Sequence, residues 1–352
     1  MKIVVLGGGI STEREVSLVS ATSICRALRS LGHRAVFVDM FFGLEDYGKP
    51  VEAIFDEPDG LCGAAVIHDE EPDIGQVIAA RKYKSPSRLG RGVLEACQLA
   101  DCVYLGLHGA DGEDGKIQAA LDLLGVPYTG SGHLGSAMAM DKAVAKRVMA
   151  AAGILTPGWE EYEVRVEEIE ALADKIKRPC VIKVIDGGSS IGVYITDTRE
   201  QVVTALHEVV KYGARIVVED KIVGRELTVP VLEGEALAPI EIVPPDSGTF
   251  DYVAKYQSGD KAAREICPAP IDEELKLQVQ KIALQVHETL GLAVLSRSDF
   301  IVDDRGRAWC LEVNTLPGMT PASLIPKAAK LAGMDYPALC ERIVLASLEK
   351  NN

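Results

Sequence analysis

Arg297, Asp299, Glu312 and Asn314 are spaced as the polar face of a β-hairpin that could hold a metal ion. The stretch "VLSRSDFIVDDRGRAWCLEVN" (294–314) reads as two strands around the turn "DDRG". With a four-residue loop at 303–306, Val302 faces Arg307 and Arg297 faces Glu312. Side chains alternate across a strand, so the four polar residues share one face and Phe300, Trp309, Leu311 and Val313 form an apolar one. Two carboxylates and an amide inside a sheet are costly unless something positive meets them. Their oxygens suit a hard divalent ion, Mg2+ shared with nucleotide phosphates. The competing reading is a cross-strand salt bridge between Arg297 and Glu312, and a one-residue slip of register breaks the pattern.

Two glycine loops supply the other chemistry. "VVLGGGISTEREVS" (4–17) fills only part of a dinucleotide fingerprint, because Thr12 stands where the third glycine belongs. "VIDGGSSIGV" (184–193) has P-loop spacing at Gly187 and Gly192, but Val193 replaces the lysine. The second loop is the better phosphate clamp: it offers backbone N–H groups and the hydroxyls of Ser189 and Ser190. Lys142 and Lys183 could add positive charge there. Glu13, in the first loop, would repel a phosphate and attract an ammonium. It also sits where a helix begins, so its alternative role is to favour the helix dipole.

These residues need a scaffold, and the chain's patterning supplies one. Residues 2–6, 35–40 and 101–109 read as buried strands, with a helix at about 12–31, a βαβ rhythm that implies a parallel sheet. Residues 41–100 are hard to read and include the basic stretch "RKYKSPSRLGRG" (81–92), expected to be a surface insertion. A boundary falls near "PYTGSG" (127–132), followed by one Ala-rich helix at 136–153. Strands follow at 180–185, 192–196 and 215–222, then a hairpin at 226–243 turning at Glu233-Gly234. The expected fold class is α/β followed by α+β.

The 352 residues carry 37 Lys and Arg against 52 Asp and Glu, a net charge of −15 that argues against a broad grip on nucleic acid or anionic membrane. No apolar run approaches the ~20 residues needed to span a bilayer, and none at the N-terminus is long enough for a signal peptide. Eight cysteines without a C-x-x-C pair read as buried thiols in a reducing cytoplasm.

"GGGISTEREVS", "LHGADGEDG", "PYTGSG", "MDK", "GGSSIGV", "FDYVAKY", "EICPAP", "SRSDF" and "LEVNTLPGMTPASLIP" follow one another in the order seen in D-alanine–D-alanine ligases, which are ATP-grasp enzymes. The resemblance spans nearly the whole chain except 41–100. It implies an N-terminal Rossmann-like domain (1–129) and a two-lobed ATP-grasp unit (130–222 and 223–352). It also implies ATP, two Mg2+ ions (replaceable by Mn2+), D-alanine and a cytoplasmic homodimer assembled through the N-terminal domain.

Site roles follow from the same resemblance. Glu13 would bind the ammonium of the first D-alanine in a hydrogen-bonded set with Ser189 and Tyr256, with His108 nearby. Lys142 and Lys183 resemble lysines that contact ATP phosphates, within a nucleotide site that includes Ser189 and Ser190. Glu219, Asp220 and Ile222 belong to the segment that recognises adenine, and Glu226 takes the ribose hydroxyls. Lys255 would be carried to the γ-phosphate by a lid at about 246–266. Asp299, Glu312 and Asn314 are the implied Mg2+ ligands. Arg297 and Gly318 would face the intermediate, and Ser323 and Leu324 the second D-alanine carboxylate.

Val184 and Val253 depart from residues common in the family, proline and glutamate, at positions that carry no chemistry. A dinucleotide oxidoreductase, with Asp39 as its ribose-binding acid, and a non-catalytic nucleotide sensor are the rivals from outside the family. Inside it, D-alanyl-D-lactate or D-alanyl-D-serine formation is the alternative. Tyr256 speaks against lactate better than against serine.

Overall fold

The run "KIVVLG" leaves no polar face for solvent and becomes β1 (Lys2–Gly7), buried along nearly its whole length. It is the centre of a parallel sheet, flanked by β2 (Arg34–Asp39) and β3 (Cys102–Leu105), and such strands are covered on both faces. This computed structural model describes residues 1–68, 72–188, 191–244 and 263–350. Helix α1 (Arg14–Ser30) covers one face of the sheet. The other face carries Ile54 and Phe55 with residues of α3 (Val93–Gln98) and α5 (Lys116–Leu124). Two shorter helices, α2 (Ile74–Ala80) and α4 (Ala110–Glu113), complete this part.

The basic stretch at 81–92 departs from a plain surface insertion. Arg81 is only 2% exposed; its guanidinium donates to the Ser87 and Leu89 carbonyls at 2.6 and 2.8 Å and lies 4.5 Å from the Phe41 ring centre. Arg88 pairs with buried Asp111, whose other oxygen accepts the Ile10 N–H at 3.0 Å. The insertion therefore braces the first glycine loop.

The helix expected at 136–153 is two helices, α6 (His133–Met140) and α7 (Lys142–Ala151). The break is at Asp141, whose carboxylate accepts the Val144 N–H at 3.0 Å and so starts a new helix. The Lys142 N–H is left to donate to the Ile185 carbonyl at 3.1 Å, which fixes Lys142 against the second glycine loop.

Among the described residues the strands form three sheets. The second is antiparallel, in the order β4 (Trp159–Glu163), β7 (Arg215–Asp220), β5 (Cys180–Val184), β6 (Val193–Thr196). Helices α8 (Ile169–Lys175) and α9 (Arg199–Val209) share its core. Strand β4 has three acidic residues in five and carries no apolar alternation to announce it. The third sheet is built on β8 (Arg225–Leu232), which turns at Glu233-Gly234 as expected into β9 (Glu235–Ala236) and then β10 (Ile240–Val243). Beyond β10 lies β11 (Arg264–Ile266), and on the other side of β8 lie β12 (Leu295–Val302) and β13 (Ala308–Asn314). Helix α10 (Glu273–Thr289), capped by Asp272, packs under this sheet.

The chain ends with α11 (Leu324–Leu331) and α12 (Tyr336–Lys350). Helix α12 returns to the first sheet: Leu339, Cys340, Ile343 and Val344 share one core with Ile3, Val5, Ile24 and Leu28. No helix among the described residues is long and apolar enough to cross a membrane.

Candidate active site

The hairpin face forms, but not in the expected register. The connection is five residues, 303–307, so Val302 faces Ala308 and Arg297 faces Asn314, while Asp299 faces Glu312. Asp303 sets this longer turn by accepting from the backbone of Arg305 and Arg307 and from the Trp309 indole at 2.9 Å. A bulge at Leu311, between the Phe300–Cys310 and Asp299–Glu312 pairs, then absorbs the slip. Its effect is that Cys310, fully buried, joins Phe300 and Val313 in the core, where Trp309 and Leu311 had been expected. The four polar residues keep a common face despite the slip.

Charges on that face are arranged differently from a simple Arg297–Glu312 bridge. The Arg297 guanidinium donates to both oxygens of Asp299, at 3.0 and 2.9 Å. Thr228, on neighbouring β8, also donates to Asp299. The Asn314 amide nitrogen donates to Asp299 Oδ2 at 3.1 Å, which leaves the amide oxygen for a cation. Lys142 Nζ stands 3.4 Å from Glu312 Oε2. Two facing carboxylates and an amide oxygen form a hard donor set of the kind Mg2+ takes, so these residues fit the ion.

Around them is a cavity of about 450 Å3, lined by Glu13, His108, Glu226, Arg297, Asp299, Asn314, Gly318, Ser323 and Leu324. Residues more than 300 positions apart in the chain thus meet in one space. An ideal Cβ on Gly318 would lie 3.1 Å from Ser323 Oγ, so the 318 loop abuts the start of α11.

Glu13 is 6% exposed and stands at the first turn of α1 without a side-chain capping bond, so its carboxylate is turned away from the helix end. It meets the second glycine loop. A Cβ on Gly188 would fall 2.3 Å from Glu13 Oε2, so a side chain there would displace the Glu13 carboxylate. The two loops are therefore one site, joined at Glu13. Gly8 (φ +74) leaves room for Asp39, which binds Arg14 and accepts the Phe41 and Phe42 N–H groups at 2.8 and 3.1 Å. Asp39, the acid that a dinucleotide fold would give to a ribose, is thus occupied by the protein itself.

His108 has both ring nitrogens engaged: Nδ1 donates to the Leu316 carbonyl at 2.8 Å and Nε2 accepts from Ser20 at 3.0 Å. Burial lowers its pKa, against the pull of Glu13. It lines the cavity as a neutral ring. Beside it is Glu113, a residue the sequence reading passed over. Burial first, and the neighbouring Glu13 charge second, push its pKa up to about 7.

The second cluster lies on the lobe carrying the second glycine loop. Lys183 Nζ is 2.9 Å from Glu219 Oε2, and Lys146 Nζ is 3.2 Å from Oε1. Burial opposes the charge on Glu219, but the two lysines hold its pKa below the usual range. Burial likewise opposes the charge on Lys183, and Glu219 overrides it, raising that pKa. Glu219 Oε1 has no aligned hydrogen-bond donor among the described residues. Lys142 donates to the Gly187 carbonyl of the glycine loop. Lys146, fully buried, was also missed; its signal was the four-residue spacing from Lys142 on one helix face. Asp220 ends β7 exposed, and Ile222 follows it half-buried. Ser189, Ser190, Lys255 and Tyr256 lie outside the described residues.

Comparison with known proteins identifies the family. Residues 2–131 match the D-ala D-ala ligase N-terminus family and residues 148–345 the D-ala D-ala ligase C-terminus family. A D-alanine–D-alanine ligase of Pediococcus pentosaceus is 40% identical over 350 residues, covering 98% of this chain and 97% of that protein. A solved structure of the Bacillus anthracis D-alanine–D-alanine ligase superposes with a TM-score of 0.73 at 30% identity, covering 100% of this chain and 98% of that one. A structure of the B. anthracis ligase complexed with ATP gives 0.71 at 28%, with the same coverage. The chain belongs to the D-alanine–D-alanine ligase family.

Proposed function

We propose that this chain joins two molecules of D-alanine into D-alanyl-D-alanine, driven by ATP, for peptidoglycan precursor synthesis. The observation that carries the reading is the single cavity in which Glu13, His108, Arg297, Asp299, Asn314, Gly318 and Ser323 meet. In this reading residues 1–129 present the first amino acid, and 130–222 and 223–352 enclose the nucleotide. The assembly is a cytoplasmic homodimer.

Glu13 receives the ammonium of the first D-alanine, with Ser189 and Tyr256 assigned beside it by family resemblance. Lys142, Lys183, Ser190 and Lys255 neutralise ATP phosphates. Glu219, with Asp220 and Ile222, takes the adenine, its buried carboxylate already oriented by Lys183 and Lys146. Glu226 binds the ribose. Asp299, Glu312 and Asn314 would hold Mg2+, which supplies charge neutralisation on the transferring phosphoryl group.

The first D-alanine carboxylate attacks the γ-phosphorus and ADP leaves, giving D-alanyl phosphate. The amine of the second D-alanine, its carboxylate held by Ser323 and Leu324 at the start of α11, attacks the acyl carbon. The carbonyl electron pair moves onto oxygen, where Arg297 and the Gly318 N–H stabilise it. Collapse breaks the bond to phosphate, which departs, and the new amide nitrogen releases a proton. Closure around the site keeps water from the acyl phosphate.

Phosphate release from MgATP in the presence of D-alanine, D-serine, D-lactate or L-alanine, with products identified by mass, tests this. D-Alanine-dependent release with D-alanyl-D-alanine formed is expected, and Glu312→Gln should abolish it. A D-serine or D-lactate product would move the second-substrate assignment. No product with any D-amino acid, in protein that binds ATP, would refute ligation.

A further inference from the structure

The backbone of Leu316, midway between Asn314 and Gly318, is gripped on both sides of its Cα by residues of the 108–113 segment. Its N–H donates to Glu113 Oε1 at 3.1 Å, and its carbonyl accepts from His108 Nδ1 at 2.8 Å. The other Glu113 oxygen accepts the Gly109 N–H at 3.0 Å. One buried carboxylate thus ties the 106–113 loop to a loop two hundred residues later, and Leu316 itself is only 5% exposed. A carboxylate is suited to this task because it accepts at both oxygens and carries no donor to oppose either N–H. Held through the N–H of one peptide unit and the carbonyl of the next, Leu316 has both flanking peptide planes fixed. The peptide unit that presents the Gly318 N–H follows two bonds further on.

We propose that Glu113 is a positioning residue for the second half-reaction: it locks the 314–318 segment so that the Gly318 N–H points to the place where the oxyanion forms. This rests on the ligase reading above. Phosphoryl transfer to the first D-alanine makes no oxyanion at the acyl carbon and needs no such donor, so the two half-reactions should part company when the lock is weakened.

The variant is Glu113→Gln, which keeps the shape and one acceptor oxygen but sets an NH2 group against one of the two N–H donors. The first half-reaction is followed by positional isotope exchange of 18O-labelled ATP at D-alanine concentrations that fill the first subsite alone. The second is followed by dipeptide formation at saturating D-alanine. Exchange should stay within about threefold of the parent, while the kcat for dipeptide falls about 100-fold, the scale of losing one oxyanion donor. Phosphate released per dipeptide should also rise, as acyl phosphate waits and hydrolyses. A parallel fall in both half-reactions, or in neither, overturns the assignment.

Amide hydrogen exchange on the parent protein gives a second test that needs no variant. The Leu316 amide should be among the protected ones, and exchange at the rate of an open loop would refute the lock. Failure of the ligase reading itself is separable, since it would show as absence of dipeptide from the parent enzyme.

Discussion

The two ends of the site are both buried, both polar and oppositely charged. At one end Glu13 and Glu113 stand beside a neutral His108, and the Glu113 pKa is pushed up to about 7 by burial first and by the neighbouring Glu13 second. At the nucleotide end Lys142, Lys146 and Lys183 surround Glu219 and Glu312, and Glu219 stays ionised because two lysines hold it. Burial penalises charge equally at either end. What differs is the sign of the surplus, and under the proposed ligation it would suit an ammonium at one end and a polyphosphate at the other. A close glycine approach at 188 brings these opposite fields together, so one D-alanine can meet both with its two ends.

Breaking the nucleotide end should have the larger effect. Lys183→Gln removes a buried cation from both Glu219 and the phosphates, and kcat/KM for ATP should fall by about 10² to 10³, the usual scale for one preorganised electrostatic group. Steady-state kinetics with varied ATP checks this. A variant within threefold of the parent would mean that Lys146 alone sustains the field.

At the other end, Glu13→Gln keeps the shape and removes the charge. The KM for the first D-alanine should rise about 10- to 100-fold, corresponding to roughly 1.4–2.7 kcal/mol, while ATP binding by calorimetry stays as before. A change in ATP affinity instead would mean that the ends are not separate.

The smallest effect sharpens the comparison by leaving both ends alone. His287, in the core beneath the third sheet, bonds Ser296 at 2.8 Å, and burial lowers its pKa from 6.5 to about 4. The folded ring stays neutral while the unfolded ring takes a proton below pH 6.5. The stability it contributes is therefore present above pH 6.5 and lost as pH falls towards 4, about 2 kcal/mol by pH 5. Thermal unfolding from pH 7 to 4.5 should be less steep in His287→Gln than in the parent. Equal slopes would mean that His287 is not the group being titrated.

How much of this was legible beforehand depended on how local the signal was. The polar face of the last hairpin could be read because alternation is a two-residue rule, yet the Leu311 bulge could not, since it answers to Asp303 holding a longer turn. Lys142 was found as a charge near a phosphate loop, whereas the helix break that aims it depends on Asp141 preferring a cap to a helix interior. Glu113 sat within a quoted motif unnoticed. One of its carboxylate oxygens is matched by the Leu316 N–H, two hundred residues away in the sequence.

The return of α12 to the first sheet has a consequence for how the chain is made. Strand β1 is made long before Cys340, Ile343 and Val344, the residues that close one of its faces. Until those residues emerge, Ile3 and Val5 lack their cover, and the nascent first sheet carries an open apolar face. Contacts of such sequence separation slow folding and lengthen exposure to aggregation. Completion of the first core therefore waits for α12, and a ribosome that stalls before it leaves an open apolar face for chaperones or proteases to meet.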